Sequence, residues 1–274
     1  MSKYEQIIEW IFSRNYTPHR VLVPFNRDEL ARASTALGFA RIKNLGDIPY
    51  AFRFRRDLPE TIQSTAPAGA EWIIVGMGVG EYAFRLASPG KIEPGAHYYP
   101  IKLPDATPEI VRQYAPGTDE QALLTCARYN RLVDLFTGLT CYSIQNHLRT
   151  TVSYIGQVEV DEIYVGMNKR GTHFVLPCQA KSPGDRFGIA QVMQDMALCK
   201  ERYPEAICRP IALQFMDENN VALLELTIRE ENDVLMLNTV DEKHYQLVNR
   251  SRIADEELMG LKEQEGRYLV DGSV

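Results

Sequence analysis

Asp161, Gln179 and Lys181 are the residues of this chain whose types and spacing could do chemistry together. They stand in the stretch Gln157 to Lys181, QVEVDEIYVGMNKRGTHFVLPCQAK, with Gln179 18 positions after Asp161. A carboxylate and an amide oxygen are hard donors suited to Mg²⁺, and the carbonyl of Ala180 could add another oxygen without a side chain. Such a cation lowers the pKa of an attacking water and offsets charge on a phosphoryl group. The Lys181 ammonium would orient that water or stabilise the developing phosphorane. Glutamine brings one negative charge less than glutamate, so either a further acid completes the metal shell or the metal binds weakly. Glu159 is the first choice because it shares a strand face with Asp161, whereas Glu162 should point away unless the strand bulges. Asp134 and Glu120 lie on a predicted helix upstream. On a solvated hairpin the same residues would form only surface ion pairs, each worth about 0–1 kcal/mol.

Two strands and a turn must position this set. Val158, Val160, Ile163, Tyr164 and Val165 are strand formers, Gly166 to Gly171 supplies turn residues, and His173 to Cys178 reads as the partner strand. A turn centred on Lys169 or Arg170 puts Asp161 opposite Pro177 or Gln179, on one face with Lys181. Cys178 alternates with Gln179 and should face the core. Pro177 predicts a bulge or an edge at the second strand.

Around the hairpin the pattern is α/β. Thr118 to Gln121 forms a capping box for a helix from Asp119 to about Phe136, and Tyr142 to Arg149 leads into a strand at Thr150 to Ile155. After the hairpin come a helix from about Phe187 to Tyr203, with Gln191, Gln194 and Asp195 on its polar side, and strands at Pro210 to Phe215 and Val221 to Ile228. The tail from Asp241 predicts one helix, Arg252 to Leu261. Upstream, Lys3 to Phe12 and Arg27 to Leu37 read as helices, the second opened by an Asn26 to Glu29 capping box. IPYAFRFRR, Ile48 to Arg56, alternates apolar and basic residues and predicts a strand presenting Arg53 and Arg55. Helix then basic strand suggests a winged-helix-like piece. Gly76, Gly78 and Gly80 miss the G-x-G-x-x-G spacing and fit a hairpin between strands. A short strand, Ala96 to Leu103, precedes a domain boundary, giving an N-terminal α+β domain at 1–104 and a second domain at 105–274.

Of the 274 residues, 45% are hydrophobic, enough for a substantial core, and the net charge of −6 argues against a chain that coats nucleic acid without specificity. The five cysteines are odd in number and lack any Cys-x-x-Cys pair, which opposes a disulfide framework or a zinc ribbon. His147 and His173 have no metal-ligand spacing and read as structural. MSKYEQIIEW lacks a signal-peptide layout and Trp72 to Val79 is too short to span a bilayer, so a cytoplasmic location without membrane contact is expected.

From Asp119 to Ile228 the order of helix, strand, acidic strand, strand ending in Gln-Ala-Lys, helix and strand resembles the PD-(D/E)xK nuclease superfamily. Within it, the chain is most similar to type II restriction endonucleases carrying Q-x-K in place of E-x-K. The resemblance implies a restriction-endonuclease-like αβββαβ core about a mixed sheet. It matches Asp161 to the family's acid, Gln179 to the variable ligand and Lys181 to the lysine, with one or two Mg²⁺ ions between the strands. The implied activity is cleavage of double-stranded DNA to leave 5′-phosphates, by a homodimer reading both half-sites. Arg53, Arg55, Lys169 and Arg170 would then contact phosphates. Two other readings stay open: a non-catalytic DNA-binding regulator with a dimerisation domain, and a repair or recombination nuclease that reads DNA structure.

Overall fold

Two capping boxes set the course of the first elements. In the computed structural model, which describes residues 1–114, 119–153, 155–249 and 253–254, Ser2 caps α1 (Lys3–Asn15) and exchanges hydrogen bonds with Glu5. After β1 (Leu22–Asn26), Asn26 does the same with Glu29 for α2 (Arg27–Ala36). Then follow α3 (Asp47–Phe54), α4 (Glu60–Gln63), β2 (Glu71–Gly78), β3 (Glu81–Ala87), β4 (Lys91–Ile92), β5 (Ile101–Pro104) and α5 (Glu109–Tyr114). β2 and β3 pair antiparallel through the glycine-rich turn, as the glycine spacing predicts.

The segment predicted as a basic strand is the helix α3. Ile48, Pro49 and Phe52 are its buried residues, at helical spacing, and the proline sits in the first turn, where its missing N–H costs nothing. Tyr50 and Phe54, one turn apart, hold their ring centroids at 4.9 Å. Over so short a run alternation and helical period overlap, and burial of the Ile48–Phe52 face decides. The winged-helix likeness loses its basis, because the arginines leave from a helix.

The second half runs α6 (Glu120–Tyr129), α7 (Leu132–Thr137), β6 (Thr140–Val152), β7 (Gly156–Met167), β8 (His173–Lys181), β9 (Phe187–Gly188) and α8 (Ile189–Arg202). It ends with β10 (Ile207–Cys208), β11 (Ile211–Phe215), β12 (Asn220–Glu231) and β13 (Val234–Val248). The single helix predicted from Asp119 to Phe136 is two. Asn130 turns its side chain to Ala106 N–H and the Thr107 hydroxyl, and Arg131 takes a left-handed φ of 51°. Asp241 to Val248, predicted as tail, completes β13; the helix predicted at Arg252 to Leu261 lies outside the described residues, apart from Ile253 and Ala254.

Among the described residues eleven strands form one mixed sheet in the order β1-β3-β13-β12-β11-β8-β7-β6, with β2, β5 and β10 branching from it. β7 pairs antiparallel with both β6 and β8, and β8 pairs parallel with β11. α6 and α7 cover one face through Leu123, Leu132, Phe136, Leu176 and Leu213. α8 covers the other through Val192, Leu198, Val160 and Ala212. A third apolar cluster joins α1, α2 and α3 to β1, β2 and β3 around Phe12, Trp72 and Phe84. Pro177 sits in a central strand, contrary to the predicted edge. It is tolerated where β10 and β11 are interrupted at Arg209–Pro210 between Cys208↔Val175 and Ile211↔Cys178. Among the described residues no helix is long and apolar enough to cross a membrane.

Candidate functional site

The β7–β8 ladder runs from Met167↔His173 to Glu162↔Cys178 and stops one residue short of Asp161. There the Asp161 side chain takes over: its Oδ2 accepts from the Ala180 N–H at 2.9 Å. A strand residue directs its N–H and C=O to the same edge, so the Ala180 carbonyl opens toward the same gap. On the other side, the β6–β7 pairing passes from Asn146↔Glu162 to Leu148↔Val160 and skips His147, which has a φ of 50° and lies level with Asp161.

Gln179 lies level with Asp161 by continuation of the register, while Cys178 is buried in the core as its alternation predicts. The Gln179 Nε2 donates to Asp195 Oδ1 of α8 at 2.9 Å and to the Glu159 carbonyl at 3.3 Å. The Lys181 Nζ is 3.8 Å from Glu120 Oε1, at the first residue of α6. Buried Gln214 pins the chain beyond Lys181 by donating to the carbonyls of Ser182 at 2.7 Å and Asp185 at 2.8 Å.

Burial pushes both Asp161 and Glu120 above the usual carboxylate range. The Ala180 N–H, Lys181 and His147 oppose the shift at Asp161, and Lys181 opposes it at Glu120. The Asp161 charge raises Glu120 further, so a cation between them would relieve both. Burial also raises Asp195 well above the ordinary range. Among the described residues no three His, Cys, Asp or Glu side chains gather into a metal-binding group. The oxygen donors here are two carboxylates, an amide and a main-chain carbonyl.

Of the acids predicted as alternatives, Glu159 and Glu120 line the same cleft as Asp161, and Glu162 and Asp134 do not. Glu159 accepts from Arg149 Nε at 3.0 Å and Nη2 at 2.9 Å. Glu162 points to the opposite face, fully buried, with the Ser143 hydroxyl at 2.5 Å and Arg128 Nε at 3.2 Å. Asp134 accepts from the Cys141 N–H at 2.9 Å and pairs with Arg131. Glu120 is the acid beside Lys181.

Asp161, Gln179 and Lys181 line one cleft of about 670 Å³, whose far wall carries Arg27, Arg53 and Arg55. Burial lowers the Arg53 guanidinium to about 10; its Nε has no partner among the described residues, and it lies over the Phe54 ring at 4.9 Å. Arg55 lies over Tyr50 at 5.0 Å. Lys169 and Arg170 are exposed at the far end of the hairpin, and neither lines the cleft; the β7 residues from Asp161 to Met167 alone span roughly 20 Å. Arg27, Arg149 and Asp195 are additions to the predicted set. Only Asp195 had a signal: it recurs with Val192 and Cys199 at the spacing of the buried face of α8, where it lies fully buried with Gln194 rather than on the predicted polar side. No protein-family model, no curated protein and no solved structure matches this chain.

Proposed function

We propose that the chain is a Mg²⁺-dependent endodeoxyribonuclease with a restriction-endonuclease-like core, a type II restriction enzyme that cuts double-stranded DNA as a homodimer. Residues 1–104 would hold or select the DNA. The observation that carries this reading is the break in the β7–β8 ladder. One oxygen of Asp161 ties off the Ala180 N–H, and Gln179, Lys181 and Glu120 gather around the gap that opens there. The order β6-β7-β8-β11, antiparallel twice and then parallel, supports it.

Asp161, Glu120, the Gln179 amide oxygen and the Ala180 carbonyl are the hard oxygens that would hold Mg²⁺. When bound, the ion would lower the pKa of a water and offset charge on the phosphoryl and leaving 3′-oxygens. Lys181, held near Glu120, would orient that water and stabilise the added charge on phosphorus. Arg53 and Arg55 would receive neighbouring phosphates, and the products would carry 5′-phosphates.

The test is incubation of the purified protein with duplex DNA and Mg²⁺, beside EDTA and Lys181→Ala controls. Discrete fragments lost with EDTA and slowed by ~10²–10³-fold in Lys181→Ala are the expected result. Duplex that is shifted but never cut would move the assignment to a DNA-binding regulator. Cutting confined to branched or damaged DNA would indicate a repair nuclease.

A further inference from the structure

Gln179 stands where the related triplet usually carries glutamate, and its surroundings give a reason. Its Nε2 faces Asp195 Oδ1 at 2.9 Å and the Glu159 carbonyl at 3.3 Å. A main-chain carbonyl only accepts, so the amide hydrogens belong on that side whatever the state of Asp195. The amide oxygen is then turned the other way. Gln179 lines the cleft with Asp161 and Lys181, and none of the described residues donates to its Oε1. A glutamate at this position would set a carboxylate against the Glu159 carbonyl, which cannot donate, and against a second carboxyl at Asp195 with at most one proton to share, in a site only 5% exposed.

We infer that Asp195 is a positioning residue: with the Glu159 carbonyl it locks the Gln179 amide so that Oε1 is the atom presented to a divalent cation, and it excludes glutamate from position 179. The cation belongs to the proposed function; the lock is a property of the metal-free fold, so the two can fail separately. The substitution Asp195→Asn would keep the lock, because the introduced amide oxygen still accepts from Gln179. The introduced amide could also turn to donate to a glutamate at position 179.

The experiment compares wild type, Asp195→Asn, Gln179→Glu and the double variant Gln179→Glu/Asp195→Asn by calorimetric melting without metal. Gln179→Glu should lower the melting temperature by ~4 °C or more beside Asp195, and by less than half as much in the Asp195→Asn background. Equal losses in the two backgrounds overturn the lock. Titration with Mg²⁺ gives the second reading: Asp195→Asn should bind within ~3-fold of wild type and Asp195→Leu at least ~10-fold more weakly. Unchanged affinity in Asp195→Leu also overturns it. If Asp195→Leu does not fold, the two melting differences decide. Coupled melting with no Mg²⁺ binding by any chain leaves the lock standing and removes the metal from the proposed function.

Discussion

A guanidinium buried without a carboxylate costs free energy that a bound anion would offset, and among the described residues Arg53 is in that position. Its folded pKa of about 10 lies below the ordinary guanidinium value, so it is charged at neutral pH in both states and the folded chain carries the burial cost. That cost applies at every pH below about 10 and fades only as pH rises from there toward the unfolded value. The shift corresponds to at most about 3 kcal/mol. Replacing Arg53 with Met should therefore raise the melting temperature of the free protein at pH 7 by a few degrees. It should also weaken duplex binding and lower the salt slope of that binding by about 1. A lower melting temperature with unchanged DNA affinity would assign Arg53 to the fold alone. Arg149 contrasts with it, since its charge is already met by Glu159.

At the scale of elements, β8 delivers Gln179 and Lys181 only if the chain beyond it is held, and β11 supplies the hold. Gln214 reaches across from that parallel neighbour to two carbonyls of the Ser182–Asp185 turn. Gln214→Leu keeps the bulk but removes both bonds; the Ser182 carbonyl keeps the Asp185 N–H at 3.2 Å, so the loss falls on the Asp185 carbonyl, at a cost of about 1–3 kcal/mol. Cleavage should slow more than binding weakens, because Lys181 would lose its placement while the cations of the opposite wall keep theirs. Separate measurement of single-turnover cleavage and duplex affinity checks this; equal losses in both would refute the positioning role.

Across the whole molecule, the two walls of the cleft come from opposite ends of the sheet path and meet at β2 and the β6–β7 turn. Gly76 lies against that turn so closely that a Cβ would stand 2.2 Å from the Ile155 carbonyl oxygen, with backbone on both sides of the contact. Gly76→Ala must push β2 and the turn apart, a backbone shift costing about 1–3 kcal/mol. Cooperative denaturant unfolding should report that loss, and DNA cleavage should fall with it because the walls separate. An alanine variant as stable and active as wild type would show that the walls are not fastened there.

Sequence by itself determined the chemistry-bearing hairpin. Strict alternation on β7 and β8 puts Asp161, Gln179 and Lys181 on one side, and turn residues between Gly166 and Gly171 fix the register that sets Asp161 level with Gln179. Local signals also determined the capped start of α2, where the Asn26 to Glu29 box stands as predicted, whereas α6 is capped by Asp119, one residue after the start of the predicted box. Only the tertiary structure decided α3 against a strand, because burial of Ile48 and Phe52 in the cluster around Phe12, Trp72 and Phe84 outweighs the alternation. It also decided how the two acids that line the cleft are engaged. Glu159 and Glu120 are 39 residues apart in sequence, and in the fold Arg149 engages the first while the start of α6 carries the second to Lys181. Pairings across such distances depend on how the sheet and helices close, and local periodicity carries no record of that.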